Sequence, residues 1–344
     1  MTRPFSALTA LGLAAVAALA LAGCGATTSS SASDGKLNVV ATTTQLTDFT
    51  SEVGGDHIEL TGLLHVGASA HHFDPTPADL LALGKADVLV VNGAGLETFV
   101  DSAVEASGFK GTVITASDGI DQAEAKKISA ESEADEEEAD HDHAAEEDHD
   151  DHDHGDLNPH IWTSPSNAEG MVTEISKGLS KADPDNASDY SANAKAYNSK
   201  LQDLDTWIAA QFKRVPEAER VLVSGHNSLA YYLHDYNIAF AGSILPSFED
   251  NAEPSAADID TLVKTIKERG VRAVFSESSM SPKLARTIAK EAGVKVVDAE
   301  SLYADSLGAK GSGADTYIDA TIHNTQVILE AWGVTPDAVP ASLK

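Results

Sequence analysis

Residues 183–216 read DPDNASDYSANAKAYNSKLQDLDTWIAAQFKRVP, and this stretch decides how the chain is organised. Apolar side chains return there at alternating steps of four and three residues, at Tyr190, Ala194, Tyr197, Leu201, Leu204 and Ile208. This spacing places one apolar stripe along a single helix. With Pro184 near the start and Pro216 beyond the end, the pattern predicts one linking helix over residues 183–215. A helix of about thirty residues spans about 45 Å, which is long enough to support two lobes.

Short apolar runs on both sides of this helix predict two sheets. They occupy residues 37–43, 58–64, 88–92 and 112–116 before the helix, and 221–224, 240–245, 273–276 and 295–298 after it. Most runs are continuous rather than alternating, which is typical of strands buried on both faces of a parallel sheet. Helical patterns separate the runs. We therefore predict an α/β fold with two lobes, residues 36–182 and 216–344, each with a mainly parallel four-stranded sheet flanked by helices.

The charge is strongly negative and unevenly distributed. The 344 residues carry a net charge of −31, which argues against a nucleic-acid partner because phosphate binding needs Lys and Arg. Residues 121–156 are low in complexity and rich in Asp and Glu, and we predict a disordered loop there because like charges repel and cannot bury a core. Within this loop, His141, His143, His149, His152 and His154 alternate with Asp. A plain solvated segment needs no histidine, so we favour weak metal capture.

The amino terminus contains the single cysteine of the chain, Cys24, so no internal disulfide can form. An apolar run follows Arg3 and ends in Leu21-Ala22-Gly23-Cys24, which resembles the lipobox of bacterial lipoproteins. That resemblance implies a signal peptide over residues 1–23 and a diacylglycerol on the sulfur of Cys24. Residues 24–35 then form a flexible tether to the extracytoplasmic face of the cell membrane. The alternatives are an ordinary cleaved signal peptide or a membrane span, for which the run is shorter than the ~20 residues required.

Three histidines fall where predicted strands give way to loops. His71 lies in HHFDPTPADL after the second predicted strand, and the two prolines of that segment stiffen the loop. His160 lies in LNPHIWTSP between a proline and a tryptophan, and His226 ends the strand in RVLVSGH. Open α/β sheets bind ligands at the carboxyl ends of their strands, so these imidazoles are candidate ligands.

These three segments, together with YADSL at residues 303–307, resemble in order and spacing the ligand segments of a known family. The family comprises the metal-binding receptors of zinc and manganese ABC transporters, the cluster A-I solute-binding proteins. The resemblance implies that each lobe supplies two ligands to a metal in the cleft between them. His71 and His160 would come from the first lobe, and His226 and Asp305 from the second. Glu277 ends the predicted strand in FSES, where we expect it to contact a ligand imidazole.

The donor set favours zinc over manganese. Three imidazoles and one carboxylate suit tetrahedral Zn²⁺, whereas Mn²⁺ prefers more oxygen ligands. The resemblance points the same way, because manganese members of the family tend to have a carboxylate at the position of His226. Zinc members also commonly carry a histidine-rich acidic loop. We predict Zn²⁺ as the bound ion, with Mn²⁺ as the alternative.

The resemblance implies a monomeric extracytoplasmic receptor that captures Zn²⁺ and delivers it to a membrane ABC permease. A secreted zinc hydrolase is a competing hypothesis, but it needs an open coordination position, and the sequence contains no H-E-x-x-H motif. We therefore predict that the protein is not an enzyme. A surface adhesin with a bound metal remains a second alternative. A receptor for a metal chelate is disfavoured, because a chelate brings its own ligands.

Overall fold

The computed structural model describes residues 35–140, 157–246 and 253–344. The predicted signal peptide, Cys24 and the tether up to residue 34 lie outside the described residues. The same holds for the five loop histidines between residues 141 and 154. The predictions made for those segments therefore stay predictions.

The first lobe is built on a parallel four-stranded sheet with strand order β2-β1-β3-β4. Its strands are β1 (Leu37–Ala41), β2 (Ile58–Gly62), β3 (Val88–Val91) and β4 (Thr112–Thr115). The central strand β3 is buried along its whole length, whereas the edge strands β2 and β4 are partly exposed. The continuous apolar run of β3 thus belongs to a strand that is covered on both faces.

The second lobe repeats this arrangement with strand order β6-β5-β7-β8, again parallel. Its strands are β5 (Val221–Ser224), β6 (Ala239–Ser243), β7 (Ala273–Glu277) and β8 (Lys295–Leu302). The predicted fold class, two α/β lobes with four-stranded parallel sheets, is confirmed. Strand β8 continues four residues beyond the predicted run at 295–298, and its end pairs with β7 through Glu277 and Leu302.

Ten helices flank the two sheets in the described part of the chain. They are α1 (Thr44–Gly54), α2 (Pro77–Leu83), α3 (Val100–Ser107), α4 (Gln122–Asp140), α5 (Pro165–Ala182), α6 (Ala187–Phe212), α7 (Ala230–Asp235), α8 (Ala256–Glu268), α9 (Pro282–Ala292) and α10 (Tyr317–Ala331). Of the helices in residues 35–140, 157–246 and 253–344, none is both long and apolar enough to cross a bilayer.

Helix α6 is the predicted linking helix, and all six residues of its predicted apolar stripe are buried. It is shorter than the predicted 183–215, because Pro184–Asn186 form a 3-10 turn and the helix begins after them. Its 26 residues span about 39 Å. Helix α6 packs against α1 and α5 of the first lobe and α10 of the second, so one helix supports both lobes.

Helix α4 corrects the prediction of a disordered loop over residues 121–156, because residues 122–140 are helical. The segment is rich in Ala, Glu and Lys, which are strong helix formers. Ala125, Ile128, Ser129 and Ser132 form a buried face on this helix. Although α4 follows the first sheet in sequence, that face packs against β6, α7 and α8 of the second lobe. The chain therefore crosses to the second lobe before it returns at residue 157.

Candidate metal centre

His71 lies in the loop between β2 and α2, and this loop is fixed at several points. The N–H of His71 donates to Ser69 Oγ at 3.2 Å. Helix α2 begins with a capping box, in which Thr76 and Asp79 exchange side-chain and backbone hydrogen bonds. Pro77 follows at the first helical position, where its missing N–H is not needed. These features limit the directions in which the His71 imidazole can point.

His160 precedes a 3-10 turn at Ile161–Thr163 and is completely buried. The backbone carbonyl before it, that of Pro159, accepts a hydrogen bond from Asn92 Nδ2 at 2.9 Å. Two residues before His160, Asn158 Oδ1 accepts from the His160 N–H at 3.1 Å and lies 2.9 Å from its Nδ1. The Nε2 atom of His160 is thus the ring nitrogen that faces the other candidate ligands.

His226 follows β5 through Gly225, and Glu277 at the end of β7 contacts it twice. The N–H of His226 donates to Glu277 Oε1 at 3.1 Å, and its Nδ1 lies 3.0 Å from Oε2. A Cβ atom at residue 225 would lie 2.7 Å from Glu277 Oε1 and 2.2 Å from Met280 Sδ, so only glycine allows this approach. The predicted contact between Glu277 and a ligand imidazole is present, and its effect on metal affinity remains a prediction.

Asp305 lies in the loop after β8, and its neighbours bind this loop to the first lobe. The carbonyl oxygen of Ala304 accepts hydrogen bonds from Gln45 Nε2 at 2.9 Å and from Trp162 Nε1 at 3.0 Å. Leu307 N donates to Thr44 Oγ1 at 2.9 Å. A carboxylate from the second lobe is therefore held by contacts to the first.

The four predicted ligands converge on one point. One donor atom from each of His71, His160, His226 and Asp305 lies within 4.8 Å of all the others. His160 Nε2 lies 3.0 Å from the Nε2 of His71 and 3.1 Å from that of His226. Asp305 Oδ1 lies 3.3 Å from His160 Nε2 and 3.5 Å from His226 Nε2. Four donors this close would surround a single small ion.

The two imidazoles of the first lobe lie in surroundings that favour their neutral form. Burial, followed by the neighbouring His160, lowers the pKa of His71 to about 3. Burial also lowers the pKa of His160, and the carboxylate of Asp305 only partly opposes this effect. Both rings are therefore neutral at pH 7, the form in which imidazole binds a metal.

In the second lobe, the surroundings favour the charged forms of His226 and Asp305. Burial alone would lower the pKa of His226, but the carboxylates of Glu277 and Asp305 outweigh it and raise the pKa well above its usual value. Burial alone would raise the pKa of Asp305, but His226 and the hydrogen bond from His160 hold it well below the usual range. Before metal enters, the protonated ring of His226 is the positive charge that faces these two buried carboxylates.

The remaining described histidines do not join this group of four. His57 lies 2.9 Å from Asp189, His234 lies beside Asp235, and the ring of His323 packs against Tyr303. These positions agree with the surface and packing roles that isolated histidines usually have. Sequence reasoning passed over Asn158 and Ser279, which contact His160 and Asp305 respectively. The only signal for Asn158 was its place in the Asn-Pro-His tripeptide.

Residues 39–331 match the model of a family described as ZnuA, the periplasmic component A of a zinc-uptake complex. The chain is 31% identical over 315 residues to the manganese-binding lipoprotein MntA of Halalkalibacterium halodurans, covering 91% of this chain and 95% of that protein. It is 29% identical over 316 residues to the manganese ABC transporter substrate-binding lipoprotein scaA of Streptococcus gordonii, covering 92% and 95%.

The fold is also that of a solved structure, the periplasmic zinc-binding protein TroA of Treponema pallidum. The TM-score is 0.72 at 24% sequence identity, and the match covers 87% of this chain and 99% of TroA. At this identity the likeness supports the fold. The relatives thus include proteins named for manganese and a structure named for zinc.

Proposed function

The chain belongs to the family of periplasmic component A proteins of zinc-uptake complexes, and on this premise we propose that it captures Zn²⁺ and passes it to a membrane permease. Membership makes it a metal-binding receptor of the ABC transporter type and not an enzyme. The observation that carries the zinc proposal is the group of His71, His160, His226 and Asp305, whose donor atoms lie within 4.8 Å of one another.

The donor spacing supports a four-coordinate ion. Zn–N distances of about 2.0–2.1 Å in a tetrahedron place neighbouring donors about 3.3–3.4 Å apart. The four measured separations run from 3.0 to 3.5 Å around that value. The second oxygen of Asp305 accepts a hydrogen bond from Ser279 Oγ at 3.3 Å, which favours ligation through Oδ1 alone. Three nitrogens and one oxygen then complete a closed site, which suits transport rather than catalysis.

Manganese is the second candidate, because several relatives are named as manganese-binding lipoproteins. Mn²⁺ favours more oxygen donors than this group supplies through single contacts. It would need both oxygens of Asp305 or added water. Replacement of His226 by Glu adds an oxygen donor, so we expect His226→Glu to have a smaller ratio of zinc affinity to manganese affinity. An unchanged ratio would show that His226 does not set the preference.

Metal content and competition distinguish the two ions. The protein is purified without added metal, its metals are counted by mass spectrometry, and zinc is titrated against manganese in the same sample. We expect one tightly bound zinc per chain that excess manganese does not displace. Displacement of zinc by an equal amount of manganese would reject the zinc proposal while leaving metal capture intact.

The acidic segment between residues 141 and 154 is proposed to concentrate metal near the receptor. Its carboxylates create a negative potential that attracts cations. Its five histidines offer ligands for further ions, which we propose to be held more weakly than the ion at His71, His160, His226 and Asp305. This segment would raise the supply of ions without defining the tight site.

Attachment to the membrane is proposed to depend on Cys24. The relatives are named as lipoproteins, and Leu21-Ala22-Gly23-Cys24 is the matching sequence signal. A diacylglycerol on this sulfur would keep the receptor close to its permease. We expect Cys24→Ser to release the protein from the membrane fraction or to leave an unprocessed precursor. Unchanged, detergent-dependent membrane association of that variant would reject the lipid anchor.

A further inference from the structure

The side chain of Asn158 contacts the ligand-bearing segments of both lobes. It is 4% exposed and lies two residues before His160 in the first lobe. Its Oδ1 accepts from the His160 N–H and lies 2.9 Å from His160 Nδ1. Its Nδ2 donates to the backbone oxygen of Asn227, at 2.8 Å, and Asn227 directly follows His226 in the second lobe.

The contact to Asn227 decides which way the amide of Asn158 points. A backbone carbonyl can only accept, so the NH₂ group must face Asn227 and the oxygen must face His160. An amide oxygen also only accepts, so the hydrogen of the His160 ring belongs on Nδ1. The lone pair is then on Nε2, the nitrogen that lies 3.0 Å from His71 Nε2 and 3.3 Å from Asp305 Oδ1.

The backbone of Asn158 is held from two directions. Its N–H donates to Ser129 Oγ on α4 at 2.8 Å. Its carbonyl oxygen accepts from the hydroxyl of Tyr231 in the second lobe at 2.7 Å. Asn158, Ser129 and Tyr231 are all buried, so water does not compete for these hydrogen bonds. The amide therefore keeps its orientation as long as the second lobe stays in contact.

Helix α4 supplies an independent contact to the same residue of the second lobe. Ser132 Oγ donates to Asn227 Oδ1 at 2.8 Å. This bond involves the side chain of Asn227, whereas Asn158 binds its backbone oxygen. The contact of Ser132 is thus to Asn227, whereas the ring Nδ1 of His160 lies against Asn158 Oδ1. The chain thus offers a matched control that affects the contact between lobes without affecting the ligand.

We propose, on the basis of the metal capture described above, that Asn158 is a positioning residue that couples the orientation of His160 to the approach of the second lobe. While Asn227 is in place, the amide presents His160 Nε2 to the metal. When the second lobe moves away, the NH₂ group of Asn158 loses its acceptor, and the amide is then held through its oxygen, by the His160 N–H. The hydrogen of the His160 ring is then fixed less firmly on Nδ1. Separation of the lobes therefore weakens a ligand of the first lobe as well as withdrawing those of the second.

Three variants separate the two contacts of this amide. Asn158→Ala removes both contacts. Asn158→Asp keeps an oxygen acceptor for the His160 ring, a common partner of metal-bound histidine, but it has no hydrogen to donate to Asn227. Ser132→Ala removes a neighbouring contact to Asn227 and leaves the partner of His160 unchanged. Circular dichroism of the metal-free proteins checks that each variant is folded.

The measurements are the zinc affinity, by competition with a chromogenic chelator, and the zinc release rate after mixing with excess EDTA. We expect Asn158→Ala to bind zinc about 10–100-fold more weakly, the range typical for loss of a partner of a metal-binding histidine. Asn158→Asp should keep most of the affinity but release zinc faster. Nitrogen NMR of the metal-free proteins with labelled histidine should show the hydrogen of the His160 ring fixed on Nδ1 in the wild type and Ser132→Ala, but not in Asn158→Ala.

Several outcomes would overturn the inference. Wild-type affinity in Asn158→Ala would show that the amide positions nothing. A wild-type release rate in Asn158→Asp would show that the contact with Asn227 is not coupled to the metal. If Asn158→Ala does not fold, the comparison of Asn158→Asp with Ser132→Ala decides the question. Failure of the wild type to bind zinc or manganese would instead reject the proposed function, which keeps the two failures distinct.

Discussion

The two lobes share one strand order but bring different charges to the proposed metal centre. In the first lobe, burial keeps His71 and His160 neutral. In the second, Asp305 and Glu277 are buried carboxylates, and they raise the pKa of His226. The imidazoles of the first lobe can therefore bind a metal as they are, whereas His226 in the second lobe must first lose a proton.

The imidazoles of the two lobes therefore differ in whether they must change protonation when a metal binds. Neutral imidazoles can bind an incoming ion without any change of protonation. In the second lobe, the protonated ring of His226 faces the two carboxylates in place of the metal and offsets part of their negative charge. Metal binding exchanges that proton for a divalent ion.

The largest expected effect comes from removing one ligand from either half. His160→Ala and His226→Ala should each weaken zinc binding by more than about 100-fold, since loss of a mere partner of a ligand already costs about 10–100-fold. His234→Ala is the control, because its ring lies beside Asp235 outside the group. Calorimetric titration measures all three. Equal affinities in the three variants would reject the assigned ligands.

Replacing Glu277 by Gln removes a charge from the second half alone. We expect Glu277→Gln to weaken zinc binding by about 10–100-fold, because it takes away the carboxylate that orients and polarises His226. The pKa of His226 should also fall, so fewer protons should leave when zinc binds. Titration in buffers with different ionisation enthalpies counts these protons. The same proton count as in the wild type would contradict the role given to Glu277.

Acidification should weaken zinc binding by protonating His226 in the second lobe. Because the folded pKa of His226 is raised, the proton on this ring stabilises the metal-free protein at low pH, and this contribution is lost as the pH rises through that value. Zinc must displace the proton, so its affinity should fall about tenfold per pH unit below the raised pKa. His71, with a pKa of about 3, should not contribute between pH 5 and 7. A zinc affinity that does not change with pH between pH 5 and 7 would show that zinc does not displace a proton from His226.

The smallest effect on the tight site should follow deletion of residues 141–154, which belong to neither half. One tight zinc per chain should remain, while the weaker additional sites disappear. The deletion stops short of α4, because Ser132 on that helix contacts Asn227. Calorimetry of the shortened protein is the measurement. Loss of the tight site would mean that the acidic segment supplies a ligand, and survival of the weak sites would mean that its histidines bind nothing.

The sequence was informative wherever a pattern repeats or a residue type is rare. Continuous apolar runs placed the eight strands, and the stripe from Tyr190 to Ile208 placed α6. His71, His160 and His226 stood out because each follows a recognisable strand or a stiff turn. Asp305 came only through the family resemblance, since one aspartate among many acidic residues carries no signal of its own.

Two features could not be read from composition. The buried face of α4 consists of Ala125, Ile128 and two serines, and the many Glu and Asp residues around them give residues 122–140 the composition of a solvated segment. Its packing partner, the second lobe, is formed by residues about 100 positions later, and no local pattern encodes such a contact. The role of Asn158 depends in the same way on Asn227, which lies 69 residues further along the chain.

The crossing of α4 has a consequence for how the molecule folds and for how it can be divided. A fragment that ends after α5 would expose Ala125 and Ile128, and a fragment that begins at β5 would lack the helix that covers β6 and α8. The lobes are therefore not interchangeable modules, and a single cooperative thermal transition is expected for residues 36–344. Recombination between relatives should preserve function most often when α4 and the second lobe come from the same parent.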